Sequence, residues 1–180
     1  MRLKGYSRIF LVGPMASGKT TLGKLLAKRL GLAFVDSDQA IEQRSGVSVR
    51  TIFDVEGEEA FRDRESAVLQ SLSTQDGTVI ATGGGAVLRP ENRALLKHSG
   101  LVVFFDPDLE TQFKRTEGDR KRPLLQNVNR RSFLKKMKQE RAPLYREVAS
   151  VVIAVDNRPG KKMLEVLLRT LVDQQWVSER

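Results

Sequence analysis

The plainest chemistry in the chain lies near its start, where Gly13-Pro14-Met15-Ala16-Ser17-Gly18-Lys19-Thr20 fits the pattern G-x-x-x-x-G-K-S/T. These residue types at this spacing suit a polyphosphate. Gly13 and Gly18 let the backbone curl until its N–H groups face one anion, and a helix opening at this point adds partial positive charge. Lys19 can reach the outer phosphates, and the Thr20 hydroxyl can ligate Mg²⁺. A glycine turn with a chance lysine is the bland alternative. It is disfavoured because an apolar, strand-like run (residues 9–12) precedes the loop and a helical stripe follows it. The loop implies a nucleoside triphosphate but does not say what receives the phosphoryl group.

Candidates for the acceptor side follow. Asp36-Ser37-Asp38 closes a second apolar run, and strand C-termini in an open α/β sheet face the ligand crevice. One of the two carboxylates can hold Mg²⁺, directly or through water. The other can accept a hydrogen bond, and then a proton, from a substrate hydroxyl. Helix capping by Ser37 or Asp38 is the alternative, and it is compatible with both roles. Thr82-Gly83-Gly84-Gly85 ends a third run; three glycines suit either backbone pressed against a ligand or a loop that needs positive φ. Arg62 and Glu65 are three apart on a helix and read as a surface ion pair, unless Arg62 faces the crevice and pairs with a substrate carboxylate. Arg141 continues the stripe of Phe133, Leu134 and Met137, where a plain core would place Leu. An arginine on an inward face needs an anion.

Five apolar runs must carry these groups: residues 9–12, 33–35, 78–81, 101–105 and 151–155. Helix-period stripes separate them: Leu22, Leu25, Leu26 and Leu30 with Gly31 as C-cap; Phe61, Val68, Leu69 and Leu72; Phe133, Leu134 and Met137; and Met163, Val166, Leu167, Thr170 and Leu171. Continuous apolar strands alternating with helices predict an α/β fold, a three-layer αβα sandwich around a five-stranded parallel sheet. Residues 37–53 and 116–128 lack a core pattern and read as lid or substrate loops.

Composition narrows the class. The 180 residues are 40% hydrophobic and 29% charged, which excludes collagen-like, disordered and membrane-embedded chains. The net charge is +9, and residues 114–146 carry all of it; the rest of the chain is neutral. A basic stretch invites a nucleic-acid reading, but only Phe133 and Tyr145 are available there for stacking. No nucleic-acid or membrane partner is expected. With no cysteine, disulfides and thiol chemistry are excluded. The polar N-terminus does not read as a signal peptide, so a cytoplasmic setting is expected. His98 reads as a capping or exposed residue, Trp176 as packing or surface, and Lys135, Lys136 and Lys138 as a solvated helix face.

Taken in order, the phosphate loop, Asp36-Ser37-Asp38, Gly57-Glu58-Glu59-Ala60-Phe61-Arg62-Asp63-Arg64-Glu65, Thr82-Gly83-Gly84-Gly85, Arg122-Pro123-Leu124-Leu125 and Arg141-Ala142-Pro143-Leu144-Tyr145 resemble the shikimate kinase family, over residues 9–159. The resemblance implies a P-loop NTPase fold of the nucleoside monophosphate kinase-like type. It also implies transfer of the γ-phosphoryl group of ATP to the 3-hydroxyl of shikimate, a step of chorismate and aromatic amino acid biosynthesis. Asp38 would bind a ring hydroxyl and act as base or orienting group. Arg62 and Arg141 would clamp the substrate carboxylate, with Gly83, Gly84 and Gly85 packed against the ring. ATP would meet Gly13, Ala16, Ser17, Gly18, Lys19, Thr20, Thr21, Arg115, Arg120, Arg122 and Arg158; Arg115 and Arg158 would flank the adenine, and Arg122 would close from a lid. Thr20 and Asp36 would serve one Mg²⁺. The chain departs from the family's commoner glycine at Ala16. It is expected to be one kinase domain (residues 1–180) and a monomer, with the substrate-binding region at about 37–65 and the lid at about 114–128. A kinase for another small acceptor, such as gluconate or a nucleoside monophosphate, is the alternative.

Overall fold

The computed structural model of the protein describes residues 1–117 and 129–178. Its central sheet joins β2 (Arg8–Val12), β3 (Ala33–Asp36), β4 (Thr78–Ala81), β5 (Leu101–Pro107) and β6 (Val151–Val155), in the order β3-β4-β2-β5-β6 with every pair parallel. The phosphate-loop strand β2 is the middle one. It is flanked by β4, which leads into the glycines, and β5. A second ribbon, β1 (Arg2–Leu3) against β7 (Val177–Ser178), ties the two chain ends together and had no counterpart in the sequence pattern.

The predicted strands are those observed: β2, β4 and β5 are apolar and buried on both faces, while the edge strands β3 and β6 are more open, Val152 of β6 facing solvent. One face packs on α1 (Lys19–Leu30) and α7 (Gly160–Asp173), through Leu22, Leu26, Met163 and Leu167. The other packs on α3 (Val49–Leu72), α4 (Pro90–Ser99) and α6 (Arg130–Val148), through Phe61, Val68, Leu96 and Tyr145. Helix α1 stops where Gly31 takes a left-handed φ of 70° and its N–H bonds Ala27.

Residues 37–53 correct the expectation of a loop. They form α2 (Ser37–Ser45) and the start of α3. The apolar stripe is missing because α2 buries only Ser37 and Ile41; its ends are fixed by caps instead. Asp36 caps it through Asp38 N and Gln39 N, so the capping residue is Asp36 and not Ser37 or Asp38. Gly46 ends α2, and Ser48 caps α3 through Thr51 N. Within α3, Gly57 breaks the helix with φ 85° and ψ 177°. Helix α5 (Leu109–Thr116), capped by Asp108, covers residues 109–116. Of the predicted lid, residues 118–128 lie outside the described residues, and residues 114–116 belong to α5.

Helix α1 crosses the sheet closely at Gly23, where a Cβ would stand 2.6 Å from Phe34 Cε2 and 2.8 Å from Leu11 Cδ1. A mid-helix Gly→Ala change normally gains about 1 kcal/mol, whereas overpacking a core costs about 1–3 kcal/mol. Both contacts are with buried or half-buried side chains, so the cost prevails. Gly23→Ala is expected to be destabilising by about 1 kcal/mol, read as a lower urea midpoint at unchanged slope.

Candidate active site

The phosphate loop leaves β2 at Gly13, whose φ of 147° suits glycine and whose Cβ would meet the Phe105 carbonyl of β5 at 2.6 Å. The loop therefore lies flat on the neighbouring strand. Ser17 is fully buried, and Gly18 opens α1 from a left-handed φ of 93°. Ala16 takes a φ of 60°, so the position where the family commonly has glycine keeps a glycine-like conformation. Lys19 Nζ donates to Gly13 O and Pro14 O, both at 2.8 Å, and to Ser17 Oγ at 3.3 Å. Two residues of α5 brace the loop from behind. Gln112 Nε2 donates to Met15 O at 3.1 Å, and Arg115 Nη1 donates to Ala16 O at 3.1 Å while its Nη2 reaches Asp156 O at 2.5 Å. Arg158 pairs with Asp156 on the same rim. Thr20 and Thr21 are exposed at the start of α1.

A cleft of about 600 Å³ joins this loop to the acceptor-side residues. Its walls include Ala16, Gly18, Lys19, Thr20, Thr21, Arg115 and Arg158 on one side, and Asp36, Asp38, Arg62, Gly83, Gly84, Gly85 and Arg141 on the other. Thr20 Oγ1 donates to Asp36 Oδ2 at 2.9 Å. Asp36 thus divides its oxygens, Oδ1 toward the α2 cap and Oδ2 toward Thr20. Ser37 is buried, and its Oγ accepts from Gly83 N at 3.0 Å, which joins the β3 and β4 ends.

The glycine run is explained by crowding. None of its three members has positive φ. A Cβ at Gly83 would stand 2.8 Å from Glu65 Oε1 and 2.9 Å from Asp38 Oδ1, and one at Gly85 would overlap the Arg62 guanidinium. Gly84 has ordinary room, 3.6 Å from Met15 N. The positive-φ reading does not hold, and the crowding at Gly83 and Gly85 comes from charged side chains of the site itself.

Arg62 and Glu65 are not a surface pair. Arg62 Nη1 meets Glu65 Oε2 at 2.8 Å with side-chain exposures of 10% and 0%. The helix turns this face into the cleft because Phe61, Val68 and Leu72 anchor α3 to the sheet. Glu58 adds a second contact, at 2.9 Å. Burial draws the Arg62 guanidinium toward its neutral form, but Glu65 and Glu58 outweigh it and leave its pKa raised. The Glu65 carboxyl is also raised, by burial against the pull of Arg62. Asp38 is raised by burial first and by Asp36 second, against Lys19 and Arg62. Asp38 Oδ1 and Glu65 Oε1 are buried and have no hydrogen-bond partner among the described residues. A buried acceptor of this kind is costly unless something donates to it.

Every sequence-predicted site residue among the described ones lines this cleft or its loop. Arg120 and Arg122 lie outside the described residues. Sequence reasoning missed Gln112, Tyr145 and the apolar wall of Val49, Phe53 and Phe61. The Arg62–Glu65 spacing did signal Glu65; no local pattern marks Gln112. The basic stretch also differs from its reading. Lys138 is not a solvated residue but bonds Asp106 Oδ1 at 3.1 Å and Pro107 O at 2.5 Å. Arg146 pairs with the same Asp106 and Arg131 with Glu110, so acids on β5 and α5 offset part of the local charge. His98 is exposed, its Nδ1 2.7 Å from Ala94 O. Trp176 is half-buried against Tyr6.

The comparisons with known proteins agree with this geometry. The family model for shikimate kinase matches residues 15–172. A shikimate kinase of Pseudomonas aeruginosa is 52% identical over 91% of this chain and 95% of its own length, and one from Thioalkalivibrio sulfidiphilus is 51% identical over 91% and 86%. The solved structure of a shikimate kinase from Acinetobacter baumannii in complex with shikimate superposes with a TM-score of 0.90 at 40% identity, covering 97% of both chains. A gluconokinase from Sinorhizobium meliloti, at 18% identity and a TM-score of 0.60, shares the fold. With a parallel-sheet phosphate loop, a cleft lined by paired arginines and carboxylates, and matches that span nearly its whole length, the chain belongs to the shikimate kinase family and is an ATP-dependent kinase.

Proposed function

We propose that the cleft carries the γ-phosphoryl group of ATP to the 3-hydroxyl of shikimate, giving shikimate 3-phosphate and ADP, with the roles divided as follows. Asp38 accepts the hydrogen bond of the attacking hydroxyl and then its proton. Arg62 and Arg141 hold the substrate carboxylate, and the backbone at Gly83, Gly84 and Gly85 bounds the ring. Lys19 and the loop N–H groups offset charge on the outer phosphates, while Arg115 and Arg158 border the adenine. Arg122, with Arg120 beside it, acts from the lid on the family resemblance alone. In-line phosphoryl transfer asks the protein mainly for positioning and charge neutralisation. The observation that carries the reading is the placement of Asp38, whose buried Oδ1 is unpartnered among the described residues and which feels Lys19 on one side and Arg62 on the other.

The hydroxyl of Thr20 and the carboxylate of Asp36, bonded to each other, are hard oxygen donors of the kind Mg²⁺ takes alongside phosphates and waters. They would hold the ion, directly or through water. When bound, it would neutralise charge between the outer phosphates. A cleft of this size supports small-molecule substrates, and the working unit in this reading is a monomer.

A coupled ADP-release assay across shikimate, gluconate and nucleoside monophosphates tests the acceptor. Saturable turnover with shikimate is expected, and background turnover with the others. Turnover with gluconate or a nucleotide and none with shikimate would overturn the proposal.

A further inference from the structure

Among the described residues Tyr145 is the bulkiest fully buried side chain, 2% exposed, and it sits one helical turn after Arg141 on α6. Its ring stacks on Phe104 of β5 with centroids 5.0 Å apart at 26°. Its hydroxyl donates to the carbonyl of Gly84 at 2.5 Å. Arg141 stands beside the same hydroxyl, and Glu65 and Arg62 are near enough for their charges to act on it. Burial pushes the phenol up to about 12, with Arg141 pulling the other way, so at working pH the hydroxyl keeps its proton and can donate continuously. A core position on a sheet face would be filled as well by Phe or Leu. The hydroxyl therefore serves a contact that apolar packing does not need.

We propose that Tyr145 is a positioning residue for the acceptor. Through one hydroxyl it fixes the height of the Gly84 carbonyl and the direction of the Arg141 guanidinium, so that the glycine wall and the carboxylate clamp keep a set distance. The inference rests on the acceptor reading given above and deepens it. Tyr145 touches no reacting atom. A separate brace on the same loop provides a comparison: Arg93 Nη1 donates to Val87 O at 2.9 Å and Leu88 O at 3.1 Å, and its Nε meets Glu147 Oε2 at 2.9 Å. That brace holds the loop to α6 without touching Arg141.

Tyr145→Phe keeps the ring and removes the hydroxyl. It should raise the shikimate KM about tenfold, the effect of one buried hydrogen bond. The ATP KM should stay within twofold, and kcat should fall less than the shikimate KM rises. Glu147→Gln should leave both KM values within twofold. An unchanged shikimate KM in Tyr145→Phe, an equal rise in both KM values, or the same rise in Glu147→Gln each overturn the proposal, the last two because they would report general loosening. Arg141→Ala separates it from the parent reading. An unchanged shikimate KM there removes the clamp and this inference together, whereas a raised one beside an unchanged KM in Tyr145→Phe removes this inference alone. The wild-type protein offers a measurement that needs no variant at the site. The chain has two tyrosines, Tyr6 and Tyr145, so tyrosine labelled with ¹³C at Cζ gives two resonances, assigned with Tyr6→Phe. Shikimate should shift the Tyr145 signal and leave Tyr6 in place. A Tyr145 signal unmoved by saturating shikimate overturns the proposal.

Discussion

Asp38→Asn is expected to lower kcat by about a thousandfold, within the usual range for losing a positioned general base. The ATP KM should be unchanged, because Asn keeps the shape of the side chain and the phosphate loop is built from other residues. The same change should leave the protein as stable as before or more so. The folded-state pKa of Asp38 is raised above its ordinary 3.8. The sign follows from linkage. Below that ordinary value the carboxyl is protonated in both folded and unfolded chains and costs nothing. As pH rises toward and through the raised value, the unfolded chain ionises more readily and the fold loses stability. At pH 7 the carboxylate is therefore a burden on the fold, which the amide removes. Low turnover with an equal or higher Tm is the expected pair of results. Near-normal kcat would take Asp38 out of the mechanism, and a large drop in Tm would point to a structural role. In the parent enzyme, kcat/KM should fall on acidification through the raised pKa, nearer neutrality than an ordinary aspartate would give.

The second large effect concerns Arg62. Arg62→Leu takes from the fully buried Glu65 the cation it bonds, leaving only the more distant pull of Arg141. Removing one partner of a buried pair costs about 3–5 kcal/mol. Protonation of Glu65, whose pKa is already raised, limits the loss to the lower end, about 3 kcal/mol. The stability deficit should shrink as pH falls from 7 toward 5, since the protonated acid needs no cation. Arg62→Lys restores the charge but not the planar fork that can face Glu65 and a substrate carboxylate together. It should recover most of the stability and still raise the shikimate KM about a hundredfold at constant ATP KM. Urea unfolding at pH 5 and 7, with steady-state kinetics on both variants, reads these outcomes. Equal shikimate KM values in Arg62→Lys and the parent would refute the clamp.

The sheet and the phosphate loop were legible because their signals are local. A run such as Ile9-Phe10-Leu11-Val12 is apolar on both faces, and the loop's glycines and lysine stand at fixed offsets. Helix α2 was not legible, since one Ile and a set of caps replace the stripe that periodicity detects. For the Arg62–Glu65 pair the spacing was plain, but burial depends on which way α3 turns, and that is set by the sheet beneath it. Gln112 and the Tyr145 hydroxyl make their contacts across 97 and 61 residues of chain. No window along the sequence can show such a pair. The glycine run left two readings open, bare backbone against a ligand or a positive-φ loop, and the crowding that explains it comes from side chains on other elements.

The strand order has a consequence for how the protein is made. The phosphate-loop strand, residues 8–12, pairs with residues 78–81 and 101–104 and with nothing nearer in sequence. Contacts this distant must wait until loop-closure entropy has been overcome, which slows folding relative to helical proteins of the same size. The nucleotide-binding loop follows a strand that has no ladder to lean on until residues 78–81 and then 101–104 are in place. Its glycines gain their geometry late, from β4 and β5. The part of the chain most readily recognised by eye is thus one of the last to acquire its working shape.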